Sequence, residues 1–428
     1  MKGVIIFYLA MLLKNKKMKK YIILFTFLLI GINLFSQTIN APIDYQDLDK
    51  GYFKLDYEFG NVFNPELPTV IVIADAQQFY VRKGRITKIQ DELFGKRFNV
   101  LGIIPRSFNE DLTEKISLKD GNKTNWKLAY TLFNSFQFAN DIELIRKEVL
   151  KDHKNVHLYG QSGGAFLITE YLSLFPETNI KKVFIGASVN PVIENKLGIN
   201  HDNFQRDYLA KNKNDKVKLD RVLEENFFSR KLVASLFQRQ NFFVELSELN
   251  NTRSELIDHL YLKDTTYINN LKKEYQIDAI NGLFDSEVGI PIRVRLSEFI
   301  YPMLENWKNN RNSFYPDLEN SYNIAYPLLA LNKKNNFDIS QGFNEKSFRK
   351  FKGEVFILSA RYDHVADYRS SIYLNGLLEN GTLFIVDDDH TFKSLKSHND
   401  YAKLIQCFFD STSKDWQSYF SSYLWKEK

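Results

Sequence analysis

Three side chains in this sequence are of the right types and in the right surroundings to make a nucleophilic catalyst. The first is Ser162, in Gly160-Gln161-Ser162-Gly163-Gly164, a stretch that fits G-x-S-x-G. The other two lie far downstream, each just after an apolar run: Asp363 in Arg361-Tyr362-Asp363-His364, and His390 in Asp388-Asp389-His390-Thr391. A serine hydroxyl is a poor nucleophile until an imidazole accepts its proton. A carboxylate on the other ring nitrogen fixes the tautomer and stabilises the imidazolium. The chemistry expected of Ser162, Asp363 and His390 together is attack on a carbonyl.

Each residue also has a plainer reading. Asp363 could cap the helix after it, leaving Asp367 as the acid. His390 could be a surface histidine, with His364 or His398 as the base, although neither directly follows a strand. Asp387, Asp388 and Asp389 read as solvated turn residues rather than metal ligands, because no matching cluster is near them. Cys407 is the single cysteine; it excludes an intramolecular disulfide and reads as a buried thiol.

The elements needed to bring these residues together are legible around them. Asn155–Tyr159 reads as a short strand running into the serine turn, and a helix follows. Such a turn holds its corner residue in strained backbone geometry, and its glycines keep Cβ atoms from where strand and helix nearly touch. The helix N-terminus offers free N–H groups, Gly163 among them, to a developing oxyanion. Upstream, 51–59 alternates as a half-buried strand does, and 68–74 and 98–104 read as further strands. Phe138, Ile142, Ile145 and Val149 share one helical face. Later strands are expected at 182–187, 354–359 and 381–386, with a closing helix over 398–410. Strands alternating with helices imply an α/β chain with a mostly parallel sheet.

Between about 190 and 352 the strand pattern gives way to helical spacing, rich in Asn, Lys, Glu, Phe and Tyr. A helical lid inserted between two strands is expected there, with the core formed by 37–189 and 353–428. Residues 1–36 read as a secretory signal peptide: lysines, then Tyr21–Ile32 as an apolar run, then Ser36-Gln37 as the exit. Translation from Met18 would fit as well, and an uncleaved membrane anchor is the alternative. Export to a periplasm or the exterior follows from this reading. The net charge of +5 is a leader effect. Six of the 57 basic residues lie in 1–36, which holds no acid, so 51 basic face 52 acidic side chains beyond it. That balance gives no support for nucleic-acid binding.

Several motifs carry a resemblance. Ala360-Arg361-Tyr362-Asp363, the helix stretch Asn140-Asp141-Ile142-Glu143-Leu144-Ile145-Arg146 and Phe175-Pro176-Glu177 resemble the prolyl aminopeptidase (proline iminopeptidase) type of α/β-hydrolase over about 50–190 and 353–410. The resemblance implies the α/β-hydrolase fold and the catalytic roles of Ser162, Asp363 and His390. It departs at Ala74-Asp75-Ala76-Gln77, where that family has His-Gly-Gly-Pro-Gly. Backbone N–H groups form the oxyanion hole, so Ala76 or Gln77 would supply one donor and Gly163 the other. Asp75 there puts a negative charge near a developing anion. Of that family's Asp-Gln-Arg-Gly, the chain keeps only the arginine, in Ile104-Pro105-Arg106-Ser107. Gln161, Glu298 and Glu305 are candidate substrate contacts.

The expectation is an exported serine hydrolase for a small peptide or ester, aminopeptidase-like, with no cofactor and no metal. A carboxylesterase or lipase-like enzyme is the first alternative. A non-catalytic binding protein on a hydrolase scaffold is the second. Membrane contact is expected only through a retained leader.

Overall fold

A computed structural model describes residues 36–77, 79–116, 124–151, 153, 155–199, 204–304, 314–334, 338–339, 342–410 and 420–423. The expected leader, except for Ser36, lies outside these residues. Among the described residues no helix is long and apolar enough to cross a membrane.

Eight strands form one sheet in the order β1-β2-β4-β3-β5-β6-β7-β8. They are β1 (Ser36–Pro42), β2 (Tyr52–Phe59), β3 (Thr69–Ile73), β4 (Asn99–Ile103), β5 (Val156–Gln161), β6 (Ile180–Gly186), β7 (Glu354–Ala360) and β8 (Gly381–Val386). β1 pairs antiparallel with β2, and β2 with β4; every other pairing is parallel. β1 is the strand that sequence reading missed, because it abuts the leader and lacks a clean alternation.

Residue alternation explains why the central strands are buried on both faces. Ile71, Leu158, Ile185 and Ile357 point into one core layer. Val70, Tyr159, Phe184 and Phe356 point into the layer on the other face. Helices α1 (Ser135–Glu148) and α2 (Gly163–Leu174) cover the first face. Between β6 and β7 run α3 (Lys213–Glu225), α4 (Arg230–Phe243), α5 (Leu249–Tyr261), α6 (Thr265–Glu274), α7 (Gly289–Ile300) and α8 (Pro316–Lys333). After β7 come α9 (Tyr368–Asn375) and, on the second face, α10 (Asp400–Asp410). Helices α3 to α6 close around their own apolar cluster, which includes Leu219, Phe237, Leu256 and Leu271. In contrast, α7 and α8 put Val294, Phe299, Leu318 and Leu328 into the main core.

Strand order reverses between β3 and β5: β3 leads to β4 on one side, β5 to β6 on the other. In parallel α/β sheets the crevice outside the strand ends at such a reversal is where ligands bind. The turns after β3 and β5 are those of Asp75–Gln77 and Ser162.

Candidate active site

Ser162 sits between β5 and α2 with φ 55° and ψ −124°, a backbone conformation unusual for a residue with a Cβ. The glycines make this corner feasible. A Cβ on Gly160 would lie 2.7 Å from the Gly164 backbone, and one on Gly163 would lie 3.0 Å from the Asp75 Cβ and 2.0 Å from Gln77 Nε2. The turn after β3 therefore rests directly on the first residue of α2.

The structure brings the three expected residues together. His390 Nε2 is 2.9 Å from Ser162 Oγ. Its Nδ1 is 2.9 and 2.8 Å from the two Asp363 oxygens. Asp363 is buried and accepts the N–H groups of Val365 and Ala366, both at 2.8 Å, so its carboxylate is oriented by its own loop. With Nδ1–H donated to Asp363, the lone pair on Nε2 faces the serine hydroxyl, ready to accept its proton.

The plainer readings place elsewhere. Asp367 caps α9 through the Arg369 N–H at 2.9 Å and pairs with Arg206 and Arg369, at 2.7 Å each. His364 is buried edge-on to Phe242, ring centroids 4.7 Å apart, and burial holds its pKa well below the usual imidazole range. His398 is exposed and bonds the Ser394 carbonyl. The acidic turn departs from expectation. Only Asp387 is solvated; Asp388 and Asp389 are buried. Asp388 accepts the N–H groups of Asp389, Ser394 and Leu395, and Asp389 accepts from Thr391. They fold the loop that presents His390. Cys407 is only partly buried.

Five more residues were expected around Ser162. Gln161 lies beside it, but its amide is used internally: Nε2 donates to the His390 carbonyl at 3.3 Å and Oε1 accepts from Tyr401 at 3.0 Å. Glu298 does not face the substrate space. It is buried, accepts from Ser135 and Tyr130, and pairs with Arg295. Its α7 neighbours Ile292, Leu296, Phe299 and Ile300 line the pocket instead. Glu305 lies outside the described residues. Ala76 is buried, and Gln77 borders the space above Ser162.

Asp75 is fully buried, and its charge is met by Arg295, whose Nε and Nη2 donate to it at 2.9 and 2.7 Å. Arg295 also donates to Glu170 of α2 at 2.6 Å. Three carboxylates thus surround one guanidinium. Burial, with Glu298 and Asp75 adding to it against the pull of Arg295, pushes the Glu170 pKa up to about 8. Nothing in the sequence singled out Arg295, an ordinary cation in a helical stretch. The arginine kept at 106 is likewise explained: it pairs with Asp141 of α1 through Nε at 2.7 Å and Nη2 at 2.9 Å.

A mostly parallel sheet with a strained serine at the C-terminal edge of β5 defines an α/β-hydrolase. A family model described as the alpha/beta hydrolase fold matches residues 87–395, and the chain belongs to that family, as a hydrolase of this type. Among solved structures it is similar to bromoperoxidase from Bacillus anthracis, with 14% identity and TM-score 0.44 over 87% of this chain and 100% of that one. It is also similar to the esterase EaEST from Exiguobacterium antarcticum, with 13% identity and TM-score 0.42 over 86% and 100%. Est1E from Butyrivibrio proteoclasticus gives 10% identity and TM-score 0.40 over 88% and 98%. No curated protein matches the chain.

Proposed function

We propose that the protein is a serine hydrolase of carboxylic esters with an apolar acyl group. The observation that carries this reading is the hydrogen-bonded series from Ser162 Oγ through His390 to Asp363. Ser162 Oγ attacks the carbonyl carbon as His390 Nε2 takes its proton. The oxyanion is held by the N–H of Gly163, at the positive end of α2, and by that of Ala76 or Gln77. Collapse expels the alcohol, which His390 protonates. Water, deprotonated by His390, then releases the acid and restores Ser162.

The apolar acyl group is inferred from the pocket of about 250 Å³ above Ser162, where Phe242, Phe284, Ile292, Leu296, Phe299 and Ile324 dominate the wall. A second reading, aminopeptidase action on a short peptide, rests on Asp317, an acidic side chain on that lining. It is the kind of group that would meet a substrate ammonium. Export of the enzyme follows from the leader alone.

Labelling with a fluorophosphonate tests the nucleophile: wild type reacts and Ser162→Ala does not. Failure of folded wild type to react would overturn the reading in favour of a binding role. Rates on p-nitrophenyl butyrate against prolyl-p-nitroanilide separate ester from aminopeptide cleavage, and faster turnover of the ester is expected.

A further inference from the structure

Ser162 opens onto two cavities. One is the apolar pocket of about 250 Å³ under α4, α7 and α8. The other is a groove of about 1060 Å³ running from the 79–93 segment to α10. Both are bordered by Gln77, Ser162, Phe242 and His390. A scissile bond placed at Ser162 therefore sends one half of its substrate into each.

The two halves differ chiefly in size and in charged side chains, since Ile89, Leu93 and Tyr401 give the groove apolar surface as well. Apolar side chains dominate the small pocket. The groove carries Arg85, Lys396 and Lys403 against Asp91 and Glu92, so neither sign prevails. Two of these charges are already paired, Lys403 with Asp400 at 2.9 Å and Glu92 with Lys88 at 3.4 Å. Neutral hydrogen-bonding side chains share this wall: Asn399, with Thr391, Gln406 and Gln161, which already bond to Asp389, the Leu93 carbonyl and the His390 carbonyl and keep a further lone pair or N–H for a ligand. Phe79 and Tyr80, both partly exposed, add ring surface near the serine. This wall suits a large, uncharged, hydroxyl-rich molecule better than a phosphate or a polycation.

We infer that the substrate is an O-acylated carbohydrate, its short apolar acyl chain in the pocket under the lid and its sugar in the groove. The assignment of halves follows from their chemistry, because a polyhydroxylated half supplies the alcohol oxygen of an ester and the apolar half supplies the acid. Ser162 Oγ bonds to the acyl carbon while the bond from that carbon to the sugar oxygen breaks. The serine proton passes through His390 to the departing sugar hydroxyl. Water then cleaves the acyl-serine, and the products are a carboxylic acid and the free sugar.

This inference rests on the ester-hydrolase reading, and the experiment separates the two. Phenyl acetate, too small to use the groove, tests that reading alone. kcat/KM is then compared for one acyl group on two alcohols, butyryl ethanol and 6-O-butyryl maltose. A preference of about tenfold or more for the sugar ester is expected, since a site lined with hydrogen-bonding groups discriminates against a partner lacking them. Lys403→Trp, an exposed change on α10, narrows the groove and should collapse that preference. Leu296→Trp shortens the pocket and should lower hexanoyl relative to acetyl maltose by about tenfold. Phenyl acetate turnover with no preference for the sugar ester overturns the inference and leaves the hydrolase standing. No turnover of any ester by folded protein overturns both.

Discussion

Arg295 of α7 holds the Asp75 carboxylate at 2.7 Å with both side chains fully buried. A helix of the insertion thereby fixes the turn after β3, the same turn that packs on Gly163. Where the sequence lacks the glycines that make such a turn easy, an ion pair from a distant element fastens it instead. The carboxylate that looked hostile to an oxyanion is ion-paired from behind.

Removal of that guanidinium leaves Asp75, Glu170 and Glu298 buried together without the cation they share. Arg295→Met is expected to lower stability by about 3–5 kcal/mol, the range for breaking one side of a buried pair. Arg295→Lys keeps the charge but not the fork, and should fall in between. Urea denaturation of the three proteins measures both.

Glu170 gives a pH dependence of known sign. Its folded pKa of about 8 stands above the ordinary 4.5, so the native state keeps a proton that the unfolded chain releases. Its contribution to stability is full below pH 4.5 and is lost as pH rises to about 8. Melting temperatures from pH 5 to 9 should decline less in Glu170→Gln than in wild type. Parallel curves would refute the assignment.

Gly163 is tested through the atoms that a methyl would meet, Gln77 Nε2 at 2.0 Å and Asp75 Cβ at 3.0 Å. Gly163→Ala should push the turn away and lower kcat by about 10²-fold, the scale of one lost oxyanion donor, with less effect on KM. Adding Gln77→Ala removes the nearer obstacle and should restore part of kcat, a non-additive result. Steady-state kinetics on p-nitrophenyl butyrate report it.

Asp363→Asn keeps the shape around His390 but favours the wrong tautomer. A fall in kcat of about 10⁴-fold is expected. Fluorophosphonate labelling should slow in parallel, while Asp367→Asn should leave the labelling rate near that of wild type.

The sheet was legible because its central strands are unbroken runs such as Val70–Ile73, and because each of Ser162, Asp363 and His390 follows a strand end. Local pattern gives those positions directly. The failures share a cause. Glu298 was expected to face the substrate and Asp388 and Asp389 the solvent, and only tertiary contacts reveal what holds them inside: a cation for the first, a set of backbone N–H groups for the others. Arg295 left no trace for the same reason, its three partners lying at 75, 170 and 298. β1 was hidden by its place beside the leader.

The insertion is two things joined in series. Helices α7 and α8 share the main core, whereas α3 to α6 enclose a cluster of their own. From that separate unit α4 still extends Gln238 and Phe242 to the pocket wall. The proposed acyl pocket thus takes one side of its wall from a unit with its own interior, and the rest from the core and from α7 and α8. Evolution, or an engineer, can reshape that one side by exchanging α3 to α6 while Arg295, on α7, keeps its hold on the Asp75 turn.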